Sequence, residues 1–99
     1  LRICLDTSHS KLYCNYRSLD FNSFVETLLP FTTHIHLGDA KYTNGEGLQI
    51  GDGDINFEQL FSLFKEKEFK HSILPEIWQG HKSNGSGFAV ALSKMEELN

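Results

Sequence analysis

An α/β fold of parallel strands joined by crossover helices follows from three features of the chain. Short apolar runs of strand length recur three times, as RICLD, THIHLGD and HSILPEIW. Each is followed by a polar or glycine-rich stretch, and then by apolar residues at helical spacing. The period of roughly thirty to forty residues is that of βα units. No linker separates the cycles, which cover about 1–30, 31–70 and 71–99, so the chain reads as a single partial domain of three units.

In the first cycle RICLD is the strand, and Thr7 to Leu19 read as a loop. Asp20 stands where a helix N-cap is needed. Phe21, Phe24, Val25, Leu28 and Leu29 then fall at i, i+3, i+4, i+7 and i+8, the stripe of a sheet-packing helix. Pro30 ends it.

The second strand leads into a stretch from Ala40 to Ile55 that holds Gly45, Gly47, Gly51 and Gly53, which predicts a long irregular loop. Asn56, with Gln59 three residues on, has the form of a capping box. Phe57, Leu60, Phe61 and Phe64 supply the apolar face of a helix reaching about Lys67. The third strand passes through the loop QGHKSNGSG into a final helix beginning near Ser86.

Composition narrows the function. Nine basic residues against thirteen acidic ones leave a charge of -4, and the basic residues are scattered. That argues against nucleic acid and against an anionic membrane surface. No apolar run approaches the roughly 20 residues of a membrane span, and the first residues read as a buried strand, so a soluble cytoplasmic protein is expected. Cys4 and Cys14 form no close metal-type pair and are expected to be reduced thiols. The chain opens inside an apolar run without an initiator Met, as a piece of a longer protein would.

In parallel α/β sheets functional groups gather at the C-terminal strand ends. There stand Asp6 and His9, then His34, His36 and Asp39, then Glu76. Alternation puts Ile3 and Leu5 on one face of the first strand and Cys4 and Asp6 on the other. It likewise pairs His34 with His36 against Ile35 and Leu37. An apolar side toward helices and a polar side at the strand tops describe the mouth of a barrel. A carboxylate, an imidazole and a second carboxylate suit Mn, Mg, Co or Zn and leave positions open for substrate oxygens. The absence of a thiolate from this set argues against a purely structural zinc site. Singly, each residue has a plainer role: Asp6 as a turn cap, His34 as a satisfied core histidine. Glu76, between Pro75 and Ile77, is harder to explain without a partner.

The ordered motifs DTSH, HIHLGD, GDGDINF and ILPEIW resemble the xylose-isomerase-like TIM barrels. That family includes sugar phosphate isomerases and epimerases, hydroxypyruvate-isomerase-like proteins and AP-endonuclease-like zinc phosphodiesterases. The resemblance covers essentially the whole chain and implies the last three βα units of a (β/α)8 barrel. It implies a metal ligand at Asp6, a substrate or metal contact at His9 and a ligand at His36. Glu76 would both bind metal and move a substrate proton. The family's remaining ligand, a Glu on the preceding strand, would lie before Leu1, so the site is three-quarters complete.

The implied activity is metal-dependent isomerisation or epimerisation of a sugar or sugar phosphate, with Glu76 and His9 catalytic. His9, Lys41, Trp78 and His81 are the expected substrate contacts, with Lys41 and the glycine-rich segment after it covering the ligand. Two other readings stand beside it. A non-catalytic sugar-binding or interaction fragment fits the three units, because they leave a sheet edge and one face to be covered by the rest of a barrel or by another copy. An AP-endonuclease-like phosphodiesterase fits less well, since KYTNGEGLQIG lacks the histidines its zinc cluster needs and the acidic balance counts against DNA binding, which relies on phosphate neutralisation.

Overall fold

A computed structural model describes residues 1–99. Strand β1 (Ile3–Asp6) leads directly into helix α1 (Thr7–Arg17), followed by α2 (Phe21–Leu28), a 3-10 turn at Leu29–Phe31 and β2 (Thr32–Leu37). A short hairpin of β3 (Asp39–Lys41) and β4 (Gly45–Leu48) precedes α3 (Phe57–Glu66), β5 (Ser72–Pro75) and α4 (Lys82–Leu98). The strands β1, β2 and β5 form one sheet in that order, parallel throughout, as a parallel α/β fold requires.

The alternation of the strands decides what each face holds. Leu5, Ile35 and Leu37 are buried, and they join Val25 and Leu29 of the α2 region and Leu60, Phe61 and Phe64 of α3 in one apolar core. On the opposite face Cys4 pairs in register with His34 and Asp6 with His36. That inner face has no layer over it: Leu74, opposite His36 on β5, is 52% exposed.

Two helix starts follow from side-chain oxygens that accept otherwise unpaired backbone N–H groups. Asp20 accepts from Ser23 N at 2.9 Å, and Asn56 accepts from Gln59 N at 3.1 Å. The bonds from Ser23 hold the Asp20 carboxyl below its ordinary pKa. A carboxylate with a depressed folded-state pKa adds stability above its unfolded pKa, and that stability is lost as pH falls through the folded value. Asp20→Asn should keep the cap and remove this part of the acid sensitivity. Urea midpoints measured on both proteins from neutral to acidic pH should therefore converge at the acid end.

Two stretches expected to be loops are ordered differently. Residues from Thr7 to Arg17 form α1, because Asp6 caps its start by accepting from His9 N at 2.8 Å. Its end is closed by Ser18 in the left-handed conformation, with Leu19 N donating to Cys14 O at 2.8 Å. Its buried residues are Thr7, Ser8 and Cys14, small or polar side chains that leave no apolar stripe to read. The glycine-rich segment between Ala40 and Ile55 contains the β3–β4 hairpin.

That hairpin and the turn after it are organised by Asp39, which is fully buried. Its carboxylate accepts from the N–H groups of Ala40, Gly51, Gly53 and Ile55 at 2.8–3.1 Å. Helix α4 is interrupted at Ser83, Asn84 and Gly85, all at positive φ, so its uninterrupted part begins at Ser86. No helix is long and apolar enough to cross a membrane.

Candidate metal centre

At the top of the sheet Asp6, His36 and Glu76 each bring one ligand atom within 4.8 Å of the others. Asp6 ends β1, His36 lies near the end of β2, and Glu76 follows β5 directly. Glu76 is held there by its own backbone, since Glu76 N donates to Leu37 O at 2.8 Å and so extends the β2–β5 pairing by one step. Gly38 makes this approach possible: a Cβ there would lie 2.9 Å from Glu76 O. The buried Thr7 hydroxyl fixes Gly38 further, donating to Gly38 O at 2.8 Å and accepting from Gly38 N at 3.0 Å.

The donor set fits a divalent cation. His36 Nδ1 lies 2.7 Å from Glu76 Oε2, and His9 Nδ1 lies 3.2 Å from Asp6 Oδ2. Histidines, not lysine or arginine, are thus the basic side chains that meet both carboxylates. Two carboxylates and an imidazole on adjacent strands supply the oxygen and nitrogen ligation of such ions and leave coordination positions free. The metal's identity does not follow from this set.

His9 projects from α1 and also meets Glu46 Oε2 through Nε2 at 2.8 Å. The Glu46 bond, opposed by desolvation and aided by the charge and hydrogen bond of Asp6, raises the His9 pKa above its usual value. Glu46 was not singled out by motif, although a lone carboxylate between Gly45 and Gly47 was a signal. Its position depends on the hairpin, which no local pattern announces.

An open depression of about 510 Å³ lies beside these groups. Asp6, His9, Glu46, Glu76, Trp78 and His81 line it, with Ser8, Gln79 and Lys82 among the further residues. Lys41 stands apart, its amine 5.6 Å from the centre of the Tyr42 ring. His34 sits one step deeper on the inner face, its Nδ1 2.5 Å from the Ser72 hydroxyl.

Gly47 ties the hairpin to both sides of the depression. Its N–H donates to Ser8 Oγ at 2.7 Å, and its carbonyl accepts from Trp78 N at 2.7 Å. Its φ is +63°, and an added Cβ would lie 3.1 Å from Trp78 Cβ. Gly47→Ala is expected to cost about 1–2 kcal/mol through the left-handed conformation alone. Because Trp78 is the single tryptophan, a shift of its fluorescence emission should accompany that loss.

Parallel βα units with ligand-type side chains gathered at the C-terminal strand ends define a β/α-barrel region with a candidate metal centre. A family model described as "Xylose isomerase-like TIM barrel" matches residues 1–98, and the chain belongs to that family. Comparison with curated proteins finds no match.

Proposed function

We propose that this protein is a divalent-metal-dependent isomerase or epimerase that moves a proton next to the carbonyl of a sugar or sugar phosphate. The observation that carries this reading is the convergence of Asp6, His36 and Glu76 beside an open depression. These three residues would hold the ion. A divalent cation supplies Lewis-acid stabilisation of the negative charge that grows on oxygen as a carbon-bound proton leaves.

Glu76 is the proton-transfer group, because its carboxylate borders the depression and no lysine or arginine holds it in an ion pair. His9, with Nδ1 on Asp6 and Nε2 on Glu46, has both ring nitrogens engaged, so it holds these two carboxylates at the rim of the depression and meets a substrate hydroxyl only by exchanging one of those bonds. Trp78 offers an apolar face to a sugar ring and His81 a further polar contact. Lys41, with its amine over the Tyr42 ring, does not line the depression and would reach a substrate there only by swinging away from that ring.

A binding role without turnover is the second reading, favoured by the bare inner face and by β1 and β5, each paired on one side only. Further strands of a barrel, or another copy of the chain, would cover those edges. Incubating the Mn2+-loaded protein with a panel of ketoses, aldoses and their phosphates in deuterated water separates the two. Deuterium should enter the carbon beside the carbonyl, and chelation should stop it. Metal-loaded protein that binds a sugar yet exchanges no proton would establish the binding role instead.

A further inference from the structure

The inner face of the sheet carries a second cluster of ligating groups, of which the proposed activity uses only His36. We infer that Cys4, His34 and His36 form a thiolate–imidazole metal site, one step deeper than the carboxylate set and suited to a zinc-class ion. One ligand atom from each of the three lies within 4.8 Å of the others. The parallel register makes this placement, setting Cys4 beside His34 while His36 follows two residues on along the same face of β2.

Three features prepare the cluster for a metal. Cys4 is a free, exposed thiol, so an ion can reach it. The His34 ring contacts the Ser72 hydroxyl through Nδ1, which fixes its orientation and leaves Nε2 for coordination. The rings of His34 and His36 already meet edge to face with centroids 4.9 Å apart. Tetrahedral zinc-class geometry places sulfur and nitrogen ligands about 3.3–3.6 Å apart, so side-chain rotations of roughly 1 Å complete the site. On binding, the Cys4 thiol loses its proton to solvent and the thiolate donates its electron pair to the ion.

Ligand chemistry separates this cluster from the one above it. A thiolate and two imidazoles favour zinc-class ions over magnesium and manganese, whereas two carboxylates and one imidazole also suit the harder ions. Because His36 belongs to both sets, filling one site competes with filling the other.

Anaerobic titration with Co2+ tests the inference, since only a sulfur ligand gives an intense thiolate-to-cobalt charge-transfer band in the near ultraviolet. Wild-type protein should develop that band to saturation at one equivalent, and Zn2+ should bleach it. Cys4→Ser should lack the band with an unchanged far-ultraviolet circular dichroism spectrum, and His34→Gln should weaken it. Glu76→Gln should retain it, which makes the result independent of the isomerase reading. Absence of the band in wild type, its survival in Cys4→Ser or its loss in Glu76→Gln would each overturn the inference.

Discussion

Glu76→Gln is expected to abolish tight binding of a hard divalent ion at the sheet top while leaving the fold intact. The substitution keeps the shape of a side chain that is 54% exposed, so no core contact is lost. It removes one of only two carboxylates in the set and the charge that faces His36 Nδ1 at 2.7 Å. Losing a supporting hydrogen bond behind a metal ligand costs about 10- to 100-fold in affinity, and losing an anionic ligand should cost more. Calorimetric titration with Mn2+ measures this directly. In the proposed isomerase or epimerase reaction, proton exchange into substrate should fall in parallel by about 10²- to 10⁴-fold, the usual contribution of a positioned acid or base. Unchanged Mn2+ affinity in this variant would remove Glu76 from the ligand set.

The second large effect concerns stability, and it falls on Asp39, which contacts no substrate-facing group. Asp39→Ala strips the acceptor from four backbone N–H groups, of Ala40, Gly51, Gly53 and Ile55, around a position with no solvent access. A buried donor left without a partner costs about 1–3 kcal/mol, and the loop relaxes enough to rewet some of them. A net loss on the order of 3–5 kcal/mol is therefore expected, a large share of a typical domain's total of about 5–15 kcal/mol. Asp39→Asn should be nearly as damaging, because whichever oxygen becomes an NH2 group turns a donor toward donors. Urea unfolding followed by circular dichroism gives both values. A loss below about 1 kcal/mol for the alanine variant would mean that the glycine-rich loop holds its shape without this carboxylate.

Much of this architecture could be read along the chain, and the reason is local. The helices at Phe21–Leu28 and Phe57–Glu66 announce themselves through apolar spacing and through Asp20 and Asn56 as caps. Strand alternation was enough to set Leu5, Ile35 and Leu37 against the helices and to turn Asp6, His34 and His36 the other way. Helix α1 has no apolar stripe to announce it, because the residues it buries are Thr7, Ser8 and Cys14, and the cap that starts it, Asp6, also belongs to the candidate metal cluster. The hairpin was hidden by Gly45 and Gly47, and the turn after it takes its shape from the Asp39 carboxylate, which accepts from Gly51 N and Gly53 N.

The parallel α/β class, the inner and outer faces of each strand, and ligand-type residues at the strand ends in Asp6, His36 and Glu76 are all legible along the chain. Periodicities of 2 and 3.6 residues carry that information, and neighbouring residues alone express them. Which of those groups meet is set by how the chain folds back on itself. Thr7 reaches Gly38 across 31 positions, His9 reaches Glu46 across 37, and Cys4 comes to lie beside His34 through strand register. Contacts of that span depend on how the sheet pairs and how its loops close, which no local pattern encodes.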